Sequence, residues 1–424
     1  MKITKPRLRI EGGRRLNGEL RVSGAKNSAL VLMTASILSS KPLRLYNVPE
    51  LTDIDGMIGI LSSLGVNVRC RPGQLELSAE HVTNAEPPYE LVNRLRASFF
   101  SIGPLLARLG YGRMPLPGGC RIGARPVVEH IRGLKALGAL VNIERGIVSA
   151  TVPGRSGRLT GATIALDFPS VGATETILMA ASLAEGTSII ENAAQEPEVQ
   201  DLANLLNAMG GHISGAGGRT ITVKGVKQLH GCEYVVIPDR IEAGTFLLAA
   251  AITRSSLRIA PVIPEHLNAV LQKLQNCGCH LSIDSDSVTI YPGEIRGVDI
   301  TTQPFPGFPT DLQAPFMALL TTARGTSIIT EKIYENRMQH VTELRRMGAS
   351  ICVQGSTAVI EGVSQLSGAI VLGTDLRAAA AMVLAGLAAH GTTLIEGLHH
   401  LDRGYSDIEA KLRQAGACLE RHQS

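Results

Sequence analysis

A sixfold internal repeat constrains this chain more than any other feature. A helix-ending glycine recurs in Leu64-Gly65-Val66, Leu137-Gly138-Ala139, Met209-Gly210-Gly211, Cys277-Gly278-Cys279, Met347-Gly348-Ala349 and Ala415-Gly416-Ala417. The glycines stand 73, 72, 68, 70 and 68 residues apart. Glycine just past a helix supplies the left-handed residue that ends it, and an alternating segment such as Val66-Asn67-Val68-Arg69-Cys70 follows. A second short strand comes next, for example Gln74-Leu75-Glu76-Leu77 or Ser287-Val288-Thr289-Ile290. Each unit therefore closes with a hairpin.

A second marker keeps the same period. Six stretches are apolar nearly all round: Ser28–Leu38, Ala97–Leu109, Ala173–Ala184, Gly244–Ile252, Leu312–Leu320 and Ala378–Ala389. Helices without a polar face belong inside a domain. Each starts with polar or charged residues: Lys26-Asn27, Arg94 with Arg96, Ser170-Val171-Gly172, Asp239-Arg240 with Glu242, Thr310-Asp311, and Asp375 with Arg377. Ordinary N-capping accounts for Ser170, Thr310 and Asp375. It does not account for Lys26, Arg96, Arg240 and Arg377, because a cation at a helix N-terminus opposes the macrodipole unless an anion is present. Several helix starts are thus expected to face a common anionic ligand.

A 424-residue chain exceeds one ordinary core, and a single repeat cannot cover its own helix. The expected architecture is α/β: six βαβ-hairpin repeats, three per domain, with helices inside and sheets outside. One domain is expected over residues 1–22 and 234–424, the other over 23–233, with the active cleft between them. The strand Arg7-Leu8-Arg9-Ile10 is expected to complete the first of these.

Composition excludes other classes. A net charge of +4 dispersed along the chain lacks the basic cluster of a nucleic-acid binder, and 3% aromatics without Trp provide few stacking platforms. The N-terminal segment has no signal-peptide core, and the longest uncharged apolar run is too short for a membrane span. Seven scattered cysteines fit a reducing cytoplasm. Cys277-Gly-Cys279-His280 lacks a second ligand pair at zinc spacing, so no metal is expected.

The segment Leu116 to Arg125 sets Cys120 on a Gly- and Pro-punctuated loop with Arg113, Arg121 and Arg125 near it. Local chemistry leaves two readings level: a thiolate poised by guanidiniums, or a packed cysteine.

Ser23-Gly-Ala-Lys26-Asn27, Leu116-Pro-Gly-Gly-Cys120-Arg-Ile-Gly-Ala-Arg125-Pro126, Pro169-Ser170-Val171-Gly172-Ala173-Thr174, Pro238-Asp239-Arg240-Ile241-Glu242, Phe308-Pro-Thr-Asp311, Tyr334-Glu335-Asn336-Arg337, Thr374-Asp375-Leu-Arg377 and Leu401-Asp402-Arg403-Gly404-Tyr405 carry a resemblance. In this order, and nearly end to end, they resemble the enolpyruvyl transferase family, specifically its members that act on a sugar nucleotide. The resemblance implies a two-domain inside-out α/β barrel. It also implies transfer of the enolpyruvyl group of phosphoenolpyruvate to the 3-hydroxyl of UDP-N-acetylglucosamine with release of phosphate, the first committed step of peptidoglycan synthesis.

By the same resemblance, Lys26, Asn27, Arg125, Arg377 and Arg403 hold phosphoenolpyruvate. Arg96, Arg125, Pro126, Val127, Val128, Glu129, Ser170, Val171, Gly172, Asp311 and Ile333 line the sugar-nucleotide site. Cys120 serves as acid and covalent partner, Asp311 as general base or helix N-cap, and Lys26 and Arg403 complete the catalytic set. His130 is read as a packed structural histidine; His399 and His400 stay undecided. No cofactor, metal, nucleic acid, membrane or obligate protein partner is implied, and the location is cytoplasmic. A shikimate-type transferase uses no loop cysteine, so Cys120 stands against it. A catalytically silent sugar-nucleotide-binding paralogue would not be expected to keep Lys26, Cys120, Asp311, Arg377 and Arg403 together.

Overall fold

A computed structural model describes residues 6–116, 123, 126–154, 157–291 and 293–422. Among the described residues two compact units emerge, one of 6–23, 123 and 238–422, the other of 24–116 and 126–237. Glu233–Val235 pairs in parallel with Leu43–Tyr46, so Tyr234 packs within the second unit.

The six apolar stretches are the core helices α1 (Lys26–Ala35), α2 (Ile102–Leu109), α3 (Val171–Ala181), α4 (Arg240–Ile252), α5 (Gln313–Leu320) and α6 (Leu376–Ala388). A 3₁₀ turn leads into α2 (Arg96–Ser101) and another into α5 (Thr310–Leu312). In the unit of residues 24–237, α2 packs on α3. In the other, α4, α5 and α6 pack on one another. Burial of Leu, Ile, Val, Met and Phe along these helices drives each core, at about 25 cal/mol per Å² of apolar surface removed from water.

Each repeat also carries a second, amphipathic helix, such as Thr52–Ser63 or Pro197–Ala208. These second helices are the ones the repeat glycines terminate. Gly65, Gly138, Gly210, Gly278, Gly348 and Gly416 all have φ between 90° and 100°, where an L side chain is strained. After them come the hairpins, for example Asn67–Arg71 against Gln74–Ser78. Around α3, α5 and α6 the strand preceding the helix pairs in parallel with the strand following it, as Thr163–Ala165 does with Thr187–Glu191. Strands alternate buried and exposed residues, as in Thr220–Lys224, so one sheet face covers the core.

The chain ends are woven in. Arg7–Glu11 lies between Thr392–Glu396 and Cys418–His422, and Glu19–Arg21 pairs with Leu257–Ala260. Ala25 N donates to Ile237 O, and Asp239 N donates to Ser23 O. Buried helices must also satisfy their C-terminal carbonyls. Arg108 donates to Ile37 O and Ser39 O beyond α1, Arg158 to Leu183 O and Ala184 O beyond α3, and Arg254 to Ala251 O in α4. Positive charge there also complements the helix dipole.

A Cβ at Gly138 would meet open space, whereas one at Gly278 would stand 2.3 Å from Glu294 O. Chemical denaturation of Gly138→Ala is expected to show a loss of about 1–2 kcal/mol from backbone strain alone. Gly278→Ala should lose measurably more; equal losses would contradict this account of the terminators.

Candidate active site

The expected site residues fall into two clusters, each described within its own unit. Cys120 and Arg125 lie outside the described residues.

In the unit of residues 6–23 and 238–422, extended Pro309 leads the chain into the turn Thr310–Leu312. Of the two roles open to Asp311, general base and helix N-cap, the cap is not made. Its carboxylate turns to two guanidiniums, Oδ1 accepting from Arg337 Nη2 at 2.7 Å and Oδ2 from Arg377 Nη2 at 2.9 Å. Burial would raise the Asp311 pKa, but the charges of Arg377 and Arg337 outweigh it and hold the carboxyl well below the usual carboxylate range. Thr310 is not a cap either. Its hydroxyl donates to Glu331 Oε2 and accepts from Arg337 Nη1, both at 2.8 Å.

Arg377 sits at the start of α6 and is 2% exposed. Asp375 caps that helix, accepting from Arg377 N and Ala378 N, so the Arg377 side chain pairs with Asp311 and not with its neighbour. The guanidinium lies 5.4 Å from the Tyr405 ring centre. Its Nε and Nη1 are buried without a hydrogen-bond partner among the described residues. Arg403 is half-buried in the turn after Leu398–Leu401. The neighbouring Asp402 is taken by Arg421, at 2.6 and 3.0 Å. Ile333 is half-buried, and its N–H donates to Glu331 Oε1.

In the other unit, Lys26 opens α1, which has no side-chain cap, and its buried Nζ lies 3.3 Å from Asp53 Oδ2. Asn27 is exposed on the same turn. The cation that should oppose the dipole therefore has an internal counter-ion, as Arg377 has in Asp311. Ser170 caps α3 by accepting from Ala173 N.

Gly172 follows because a Cβ there would come within 3.1 Å of the His130 ring and 3.0 Å of Phe100. That contact joins Ser170-Val171-Gly172 to the helix Val128–Ala136. A second tie is made by Asp167 N donating to Glu129 Oε2 at 3.2 Å and by the Arg132–Asp167 ion pair at 2.5 Å. Pro126 and Val128 are exposed and Val127 is buried, so this cluster brings residues 126–129 together with 170–172.

Arg96 is half-buried at the start of its 3₁₀ turn. His130 packs edge-on against Phe99, and Nδ1 lies 3.0 Å from Thr176 Oγ1. Burial, helped by the Arg96 charge, pushes the imidazole down to about 3, so it is neutral and structural. One turn beyond Gly172, Glu175 is fully buried with Oε2 unpartnered among the described residues. Burial and the nearby Glu198 and Glu196 raise it well above the usual range. Asp53, Arg337 and Glu331 went unread in the sequence. Arg337 stood inside a recognised segment, whereas Asp53 and Glu331 had no local signal.

The sequence profile of the family described as EPSP synthase (3-phosphoshikimate 1-carboxyvinyltransferase) matches residues 10–412. The fold is shared with the enolpyruvyl transferase NikO of Streptomyces tendae, at TM-score 0.88 and 27% identity over 99% of both chains. It is also shared with EPSP synthase of Acinetobacter baumannii, at TM-score 0.76 and 19% identity over 98% of this chain and 100% of that one. Closer in sequence are proteins named UDP-N-acetylglucosamine 1-carboxyvinyltransferase. That of Prochlorococcus marinus (strain MIT 9313) is 71% identical over 99% of this chain and 97% of its own length. That of Gloeobacter violaceus is 60% identical over 99% of this chain and 92% of its own. The chain belongs to the UDP-N-acetylglucosamine 1-carboxyvinyltransferase family of enolpyruvyl transferases.

His130 gives a pH prediction. Its folded-state pKa of about 3 lies below the unfolded value of about 6.5, so protonation favours unfolding. Its contribution is intact above pH 6.5 and is lost as pH falls toward 3, by up to roughly 1.4 kcal/mol per pH unit. The unfolding free energies of the wild type and His130→Gln should converge or cross as pH falls through that window. A difference independent of pH would contradict a neutral buried imidazole.

Proposed function

We propose that this protein transfers the enolpyruvyl group of phosphoenolpyruvate to the 3-hydroxyl of UDP-N-acetylglucosamine and releases phosphate, committing the sugar nucleotide to peptidoglycan synthesis. The observation that carries the reading is Arg377, a buried guanidinium whose Nε and Nη1 are left without a partner among the described residues after Nη2 has paired with Asp311. Unused buried donors on a fixed cation are costly unless an anion completes them, and phosphoenolpyruvate offers both a carboxylate and a phosphate.

In this reading Lys26, Asn27, Arg125, Arg377 and Arg403 hold phosphoenolpyruvate. Arg96, Arg125, Pro126, Val127, Val128, Glu129, Ser170, Val171, Gly172, Asp311 and Ile333 hold the sugar nucleotide. The Cys120 thiol delivers a proton to C3, which makes C2 oxocarbenium-like. The sugar oxygen bonds to C2 as Asp311 takes the hydroxyl proton. Loss of a C3 proton and of phosphate then restores the double bond.

A carboxylate held between two guanidiniums is a weak base. An anion arriving at Arg377 draws positive charge away from Asp311 and raises its basicity when the hydroxyl needs it. The complete Asp311–Arg337–Arg377 arrangement supports an active enzyme over a silent paralogue. Relatives at 56–71% identity that carry the sugar-nucleotide name favour that substrate over a shikimate-type one. We place the activity in the cytoplasm; among the described residues no helix is long and apolar enough to cross a membrane.

Phosphate release from phosphoenolpyruvate should depend on added UDP-N-acetylglucosamine, and release independent of it would overturn the assignment. The epoxide fosfomycin should alkylate Cys120 and inactivate the enzyme, with Cys120→Asp resistant. Equal inactivation of that variant would place the reactive thiol elsewhere.

A further inference from the structure

Glu331 is 2% exposed and follows the strand Thr326–Thr330. Four donors converge on its carboxylate. Oε1 accepts from Thr302 Oγ1 at 2.8 Å, Ile333 N at 2.8 Å and Tyr334 N at 3.2 Å, and Oε2 accepts from Thr310 Oγ1 at 2.8 Å. The Thr302 hydroxyl in turn accepts from Lys332 N at 2.9 Å. One carboxylate thus fixes the turn from Lys332 to Tyr334 and the start of the helix that carries Asp311.

The direction of this relay is unambiguous. The Glu331 carboxylate only accepts and the Arg337 guanidinium only donates, so the Thr310 hydroxyl between them donates to the first and accepts from the second. Arg337 is 5% exposed, and its other terminal nitrogen donates to Asp311 Oδ1. The position of Arg337, and through it that of the Asp311 carboxylate, depends on a hydroxyl oriented by Glu331.

We propose that Glu331 is a positioning residue for transfer to the sugar hydroxyl, orienting Asp311 through Thr310 and Arg337 and setting the Ile333 turn through backbone N–H groups. This rests on the reading of Asp311 as the base and Ile333 as a sugar-nucleotide contact. Glutamine cannot replace Glu331. Its single acceptor oxygen satisfies one side of the four-donor cluster, and its NH₂ then meets donors on the other.

The test is steady-state kinetics of the full-length enzyme with phosphoenolpyruvate and UDP-N-acetylglucosamine, with folding checked by circular dichroism. Thr310→Val, which removes only the relay hydroxyl, should lower kcat by about 10- to 100-fold, the scale of a misplaced catalytic group. The KM for phosphoenolpyruvate should hardly change. Thr310→Ser keeps the hydroxyl and should restore most of kcat. Glu331→Gln should lower kcat similarly and also raise the KM for UDP-N-acetylglucosamine, because the Ile333 turn loosens. The double variant Thr310→Val with Glu331→Gln should be no slower than the worse single variant, since both interrupt one relay.

Asp311→Asn separates the layers. Full activity in that variant would overturn the base reading and the positioning role with it. Loss in Asp311→Asn together with wild-type kcat in folded Thr310→Val would overturn the positioning role alone.

Discussion

The Asp311 carboxylate shared between Arg337 and Arg377 is the interaction on which the site of the larger-numbered unit depends. Three side chains from three separate segments, the 3₁₀ turn before α5, the turn after residue 333 and the start of α6, meet there. Neither guanidinium could stay buried without the carboxylate, since an unpaired charge in a protein interior costs several kcal/mol. Nor does the carboxylate use up the cations. Among the described residues, Nε and Nη1 of Arg377 have no hydrogen-bond partner, which leaves the site folded but electrostatically incomplete.

The wider cause is the burial of six helices on all sides. A helix buried along most of its length leaves few of its end groups to water, so many termini are satisfied from within. The C-terminal ends receive Arg108, Arg158 and Arg254. Some N-terminal ends receive ordinary caps, from Ser170, Asp239 and Asp375. Two carry a cation with its own carboxylate, Lys26 with Asp53 at α1 and, beside the Asp375 cap, Arg377 with Asp311 at α6. A cation that opposes the helix dipole is therefore tolerated by an internal counter-ion. Chemistry and packing place their demands on the same residues.

The helices and their terminators were legible in the sequence because both leave local marks. An all-round apolar run has one comfortable environment, and a φ near 95° at Gly65 or Gly416 admits essentially one residue type. The second helix of each repeat was visible only through its terminating glycine. The site was legible by segment and less so by contact. Asp311 was read as base or cap, and the cap failed because Arg337, 26 residues further on, claims its carboxylate. Asp53 lies 27 residues from Lys26 and Glu331 lies 21 from Thr310. No helical or strand period connects such pairs, so only the folded chain brings them together. Arg377 was expected to face an anion, and the sequence could not reveal that a protein carboxylate already meets half of it.

The central claim is that Arg377 is an anion receptor held open by Asp311, and steady-state kinetics of Arg377→Gln test it most directly. With fold verified by circular dichroism, the account predicts a KM for phosphoenolpyruvate raised about tenfold or more, the scale of a lost charge-assisted hydrogen bond. The KM for UDP-N-acetylglucosamine should change far less. An unchanged KM for phosphoenolpyruvate in the folded variant would contradict the claim.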